Sequence, residues 1–450
     1  MKNQKVHQLL SLKEKYFLTG LLLFCSLVFV NAQSFITTWD TSYLGLGTNG
    51  SSIKIPASIF SNYDVDWDND GVFDEFGIVG PIVHDFGTPG IYTIRIQGDL
   101  QYLRFDNAGS HLKLISIDQW GNIAWTWMDS SYSGCENMNI LASDAPDLSS
   151  VTYMTLMFRG CANLNADLNA WDVSNVANFT GTFQGCTLFN GDISSWDVSS
   201  STSFQAMFKE ASAFNQDIGG WDLGNSSKMM NEMFWDAASF NQDINAWDVS
   251  KATTMAHMFD GASSFNQDLN MWDVSLVEDF SYTFANTDVF NGNIDNWQIY
   301  SSISIASMFY DALAFNRDIS SWYVSNIVYA SNVFNGAVSF NQNIDSWQWF
   351  STTNLIGMFK GATAFNQPLS SWDLSNIIDI NFMFEDATSF NQDLSAWDVS
   401  SVSYRVNTFK NASSFNQNLG MWDLSNATLL SGFLSNCGMD ITHYDNTIIG

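Results

Sequence analysis

The sequence predicts a repeat solenoid, in which one short unit is copied along most of the chain and each copy covers the apolar face of the next. Three observations carry this. Tryptophan recurs at Trp171, Trp196, Trp221, Trp247, Trp272, Trp297, Trp322, Trp347, Trp372, Trp397 and Trp422, every step being 25 residues except one of 26. Leu or Ile stands three residues before each of them, from Leu168 to Leu419. An asparagine holds the same turn of every coil, from Asn165 and Asn190 through to Asn416. Identical spacing of identical residues over such a length means stacked supersecondary units with a continuous core.

The chain opens on Lys2, Lys5, Lys13 and Lys15, an apolar run from Phe17 to Val30, and the small-residue site Val30-Asn31-Ala32 before Gln33. This order predicts a signal peptide over residues 1–32, too short in its apolar run for a membrane span of roughly 20 residues. The expected location is secreted or at the cell surface, without membrane insertion after cleavage.

Residues 33–109 predict a small β-rich domain. The stretch YDVDWDNDGVFDEFG (63–77) alternates and then turns at Asn69-Asp70-Gly71, and HDFGTPGIYTIRIQG (84–98) places a Pro-Gly turn before an alternating run from Ile91 to Ile96. The second stretch resembles the closing strand of PKD-type β-sandwich domains, although the usual WGDG is replaced by Trp67-Asp68-Asn69-Asp70-Gly71. Asp66, Asp68, Asp70 and Gly71 match the opening of a DxDxDG calcium loop, with Asp74 at the ninth position and Asp64 adding a charge. Gly77 stands where the bidentate Glu belongs, so an EF-hand loop is incomplete. Two readings follow: a solvated, turn-forming acidic hairpin, which the residues favour, and a calcium site.

The repeats run from 110 to 438. Pro146 takes the tryptophan position ahead of Trp171, and Trp120 the one before it, which makes about thirteen coils. At ~4.8 Å per coil the array would be on the order of 60 Å long. Within one coil, Leu168, Trp171 and Val173 suggest a short parallel strand. Ser174 and Asn175 suit a helix start, and Val176, Phe179, Phe183 and Cys186 fall at helical spacing. The repeated asparagines are expected to bond the backbone of neighbouring coils. Residues 439–450 (MDITHYDNTIIG) break the pattern and read as an incomplete C-terminal cap, suggesting a reading frame that continues further.

The motif MFxxAxxFNQDLSxWDVS, as in MFDGASSFNQDLNMWDVS (258–275) and MFEDATSFNQDLSAWDVS (383–400), resembles the repeat of BspA-like leucine-rich-repeat bacterial surface proteins. The resemblance implies a leucine-rich-repeat-like solenoid, exported and exposed, used for adhesion or protein binding. It supplies no catalytic residue.

Composition narrows the function. The net charge is −30 with 16 Lys and Arg, which removes nucleic acid and bare anionic lipid as partners. Cys135, Cys161 and Cys186 share one column, as small buried residues or, with export permitting oxidation, as a Cys161–Cys186 bridge. The residue after tryptophan is Asp at Asp172, Asp197, Asp222, Asp248, Asp273, Asp373, Asp398 and Asp423. These carboxylates either accept from the following turn, the favoured reading, or form an acidic stripe for cations or a basic partner. The stripe breaks at Gln298, Tyr323 and Gln348, beside Tyr300, Trp349 and Phe350. Uncharged aromatics and amides suit a sugar or protein contact, so these six form the candidate binding patch. No HExxH, GxxxxGK[ST] or GxSxG occurs. The expectation is a non-catalytic surface protein that binds an extracellular protein or glycan and uses no cofactor unless calcium binds. A structural spacer is the alternative, and a polysaccharide-active enzyme a more distant one.

Overall fold

The structure, a computed structural model, describes residues 33–44 and 48–449; the leader expected over 1–32 lies outside the described residues. Among the described residues no helix is long and apolar enough to cross a membrane.

The N-terminal part is built on β1 (Phe35–Asp40), β2 (Ser52–Ile55), β3 (Asn62–Asp66), β4 (Glu75–Val79), β5 (Ile82–Asp85) and β6 (Ile91–Asp99). The expected turns fall between β3 and β4 and between β5 and β6. β2 and β5 pair by themselves, while the larger sheet has the order β4-β3-β6-β1-β7-β8, adding β7 (Leu114–Gln119) and β8 (Asn139–Ile140). β7 lies antiparallel to β1 but parallel to β8, with Ser116 opposite Asn139 and Ile117 opposite Ile140. The antiparallel sheet therefore hands over to the parallel stack without a break, and a boundary drawn at residue 109 cuts through one hydrogen-bonded sheet. The segment Phe105–Asn107 seals the first coil: its N–H groups donate to the carbonyls of Ser131, Ser130 and Ser133.

The coils differ from the strand-plus-helix expectation. Where a helix was expected, the backbone makes consecutive turns. Phe179, Gly181, Phe183 and Gly185 send their N–H groups to Ser203, Gln205, Met207 and Lys209 of the next coil, at 2.8–2.9 Å. The N–H groups between them turn back: Thr182 donates to Phe179, Gln184 to Gly181 and Cys186 to Phe183. Half of the donors thus serve the neighbouring coil, whereas a helix would keep them all inside. The alternation needs two left-handed residues four apart in each coil, such as Gly181 and Gly185, Glu232 and Asp236, Asn332 and Gly336, or Asn407 and Asn411. At the second of these positions stands Gly, Asn or Asp in every coil except that of Glu210 (φ 61°), the residue types that tolerate this region at least cost.

The expected strand through LxxWxV is absent as well. Each tryptophan closes a turn on the Leu or Ile three before it, as Trp196 N–H does on Ile193 at 3.2 Å. Parallel pairing occurs further on, in single bridges joining Tyr153, Asn178, Ser203 and Met229, then Thr254, Asp279, Ser304 and Tyr329. Only β9 (Lys228–Met229) and β10 (Ala252–Thr254) lengthen into strands.

The core is a set of aromatic columns. Phe183, Phe208, Phe234, Phe259, Phe284, Phe309, Phe334, Phe359, Phe384 and Phe409 stack ring on ring at 5.4–5.8 Å. A second column from Phe189 to Phe415 runs beside it, each ring about 4 Å from its partner in the same coil, as in Phe309–Phe315 at 3.8 Å. These residues are fully buried, each contributing on the order of 2–3 kcal/mol of apolar burial. The indoles stack in part, as in Trp221–Trp247 and Trp272–Trp297 at 6.3 Å. Their Nε1–H groups are more uniform: from Trp196 to Trp422 each donates to the Leu or Ile carbonyl of the preceding coil, Trp196 to Leu168 and Trp422 to Leu394 at 2.9 Å. The tryptophan is both filler and clamp. Where Pro146 replaces it, Trp120 reaches past to meet Trp171 edge-on at 5.3 Å.

The asparagines bond as expected. Asn190 N–H donates to Asn165 Oδ1 at 2.8 Å, and the same contact repeats from coil to coil until Asn416 meets Asn391. The residues read as an incomplete cap form a helix, α1 (Ile441–Ile449), that continues this column: Asp440 N–H donates to Asn416 Oδ1, and Thr447 Oγ1 accepts from Leu419 N–H.

Candidate functional site

Two acidic columns mark the outer rim of the coils, and both are committed to the backbone. After each tryptophan, Oδ1 of Asp172, Asp197, Asp222, Asp248, Asp273, Asp373, Asp398 and Asp423 accepts from the N–H two residues on, at 2.8–3.1 Å. Hydrogen bonds from the following serine hold Asp172, Asp197, Asp248, Asp398 and Asp423 below the usual carboxylate range. Four residues before tryptophan, Asp167, Asp192, Asp217, Asp243, Asp318 and Asp393 make the same turn, a column that sequence reading overlooked. Ser174, expected to start a helix, instead closes the turn on Asp172. These two columns commit fourteen of the chain's 46 acidic residues to fixing turns.

The column after tryptophan loses its charge in three consecutive coils, at Gln298, Tyr323 and Gln348. Tyr300 and Phe350 stand two residues further on, where most coils carry Ser. Tyr300, Tyr323 and Phe350 are 52%, 47% and 60% exposed. The rings of Tyr300 and Tyr323 meet at 5.8 Å, tilted by 56°, and the Tyr300 hydroxyl donates to Gln298 Oε1. Ile303, Val328 and Tyr329, on the neighbouring column, add exposed apolar surface in the same coils. Trp349 does not belong to the patch. It is buried, wedged edge-on between Trp347 at 5.6 Å and Trp372 at 5.3 Å, and its Nε1 has no partner. It occupies the inward position that Val324 and Leu374 fill in the flanking coils.

Beside the patch lies a polar cleft of about 650 Å³, lined by Asp318, Ser320, Ser321, Gln342, Asn343, Asp345, Ser346, Gln348 and Ser371. Gln348 borders both, its Nε2 donating to Ser371 O at 3.2 Å.

In the acidic hairpin, one oxygen from each of Asp66, Asp68 and Asp74 lies within 4.8 Å of the others. The loop's own backbone already uses these carboxylates: buried Asp66 accepts from Asp70 and Gly71 N–H, and Asp74 from Trp67 N–H. Asp70 accepts from Val72 N–H, and Asp64 from Gly77 N–H and Gln97; neither has an oxygen in that cluster. The carboxylates thus hold the hairpin's turn, and three of them also converge.

Cys135, Cys161 and Cys186 are buried and unbridged. The Cys161 and Cys186 thiols donate to the carbonyls of Tyr132 and Phe158 in the preceding coil, and burial pushes all three thiols up from their ordinary pKa. Elsewhere on the turns, Lys209 Nζ sits 3.5 Å over Trp235, which stacks on His257 at 4.7 Å, and His257 on Tyr282 at 4.6 Å. Trp235 is thus covered on one side by the Lys209 ammonium and on the other by His257, which leaves Tyr282 as the row's exposed ring.

No curated protein and no solved structure matches the chain. The family described as Mycoplasma protein of unknown function, DUF285, matches residues 126–231, 225–322, 271–356 and 345–444, which together span the repeats. The chain belongs to this family of tandem repeats, the BspA-like repeats, here preceded by a β-rich segment.

Proposed function

We propose that this is an exported surface protein whose solenoid presents a non-catalytic binding face to an extracellular protein or glycan. The face is centred on Gln298, Tyr300, Tyr323, Gln348 and Phe350. One observation carries the reading: in these coils alone the column after tryptophan trades a capped aspartate for uncharged side chains, two of them beside exposed aromatic rings. Exposed aromatics bring large contact area at small entropic cost, and amides bring hydrogen bonds without a desolvated charge. A spacer without its own ligand is the second reading, supported by the length of rim on which the two aspartate columns mostly serve their own turns.

The test is a panel of matrix proteins and glycans probed with the mature protein and with Tyr323→Ala. A ligand bound by the first and at least tenfold more weakly by the second supports the reading. A ligand bound equally by both moves the binding face elsewhere.

A further inference from the structure

The polar cleft and the aromatic rim beside it suit one chemical class better than others. Resting on the binding-face reading above, we propose that they form a site for a neutral pyranose oligosaccharide, its hydroxyls in the cleft and an apolar ring face on Tyr323.

The cleft spans three coils. Most coils carry Asp four residues before tryptophan; the coil of Trp347 reads Asn343 and Asp345, as the coil of Trp297 reads Asn293 and Asp295. Asp345 reaches forward to the next coil, accepting from Ser371 N–H and Oγ–H at 2.8 Å each. Asn343, which lines the cleft, accepts from Asp345 N–H through Oδ1 at 3.0 Å and keeps its amide N–H groups. Asp318 uses Oδ1 on Ser320 N–H at 3.0 Å and keeps its second oxygen. Gln342 commits its Nε2 to the Asn316 side chain and carbonyl, and Gln348 its Nε2 to Ser371; both keep Oε1. The cleft thus offers amide donors and carbonyl and carboxylate acceptors, each held by a bond at its other end. Fixed donors and acceptors of both kinds match vicinal hydroxyls, which donate and accept at once.

The remaining classes fit less well. Lining residues include no cation, and the surrounding rim is acidic, which disfavours phosphate, sulfate and uronate groups. Asp318 and Asp345 do not make a metal cage: among the described residues, Asp66, Asp68 and Asp74 are the grouping of three whose ligand atoms converge. A basic peptide would find only Asp318 with an uncommitted oxygen, since Asp345 spends both of its oxygens on Ser371.

The experiment titrates the mature protein calorimetrically with maltohexaose, cellohexaose and mannohexaose, and with a Lys-rich peptide. It is repeated on Tyr323→Ala and Asn343→Ala, at a temperature below the melting of each variant. The proposal expects one hexasaccharide to bind, at least tenfold more weakly to each variant, while the peptide is silent. Hexasaccharide binding that neither variant weakens overturns it, and so does binding of the peptide alone. If all three sugars are silent but a deglycosylated protein ligand binds and loses affinity in Tyr323→Ala, the sugar proposal falls while the binding face stands. If that ligand too is indifferent to Tyr323, both fall.

Discussion

The asparagine column can be broken at a single rung with a worked cost. Asn316 Oδ1 accepts from Asn341 N–H at 2.9 Å and from Gln342 Nε2 at 2.9 Å. Asn316→Ala removes this acceptor with both of its bonds and orphans a half-buried backbone donor. Losing one partner of such a bond costs about 1–3 kcal/mol, against about 0.5–1.5 kcal/mol for the net worth of a bond. The Gln342 amide keeps the Asn316 carbonyl at 3.0 Å, so it retains half of its support. The expected loss is about 2 kcal/mol, concentrated between two coils. Asn316→Asp restores an acceptor in the same place and should recover most of it. Because stacked repeats open locally as well as globally, a melting curve alone would blur the effect. Native-state hydrogen exchange at Asn341 reads it directly: ~2 kcal/mol corresponds to roughly thirtyfold faster exchange when opening limits protection. An Asn341 amide equally protected in Asn316→Ala and the parent would refute the ladder as a source of stability.

Four further outcomes follow from the same geometry. Trp349→Ala should destabilise by about 3–5 kcal/mol, as for a buried aromatic, and leave ligand affinity unchanged in whatever protein still folds, checked by calorimetry and binding. Arg405 is fully buried in a column otherwise filled by Leu355, Ile380 and Leu430, with Nε and Nη1 unpartnered, so Arg405→Leu should raise the melting temperature, the gain being about 1–4 kcal/mol. Burial would raise Glu385, but Lys410 at 2.8 Å and Lys360 at 3.0 Å outweigh it and hold the carboxyl below its ordinary pKa. Its contribution is therefore present above the unfolded pKa and fades as pH falls through the folded one, so denaturant melts of Glu385→Gln and the parent should differ at pH 7 and converge in acid; with both lysines over a third exposed, about 1 kcal/mol is expected. Thiol titration should find Cys135, Cys161 and Cys186 unreactive in the native protein and free after denaturation.

What the sequence made legible was whatever repeats by residue identity. Tryptophan, phenylalanine and asparagine columns announce stacking because each type recurs at one spacing. Val176, Phe179, Phe183 and Cys186 are all buried, as their spacing implied, yet a chain of turns buries the same positions as a helix. The distinguishing signal was present in another column: Gly160, Gly185, Gly261, Asn286 and Gly336 recur where the backbone must turn left-handed, and such residues are poor choices inside a helix. Trp349 lies between Gln348 and exposed Phe350 in the chain, yet its column, shared with Val173 and Leu374, faces the core. The cleft was out of reach of sequence reading, since it depends on Asp345 bending toward Ser371 one coil away.

A crystal structure of the repeat region is the most direct test of the non-helical coil. It should find His257 and Gly261 left-handed, with the N–H groups of His257 and Phe259 on the carbonyls of Ser281 and Thr283 one coil away. A continuous helix over residues 255–263, with each N–H bonded four residues back in its own coil, would contradict it.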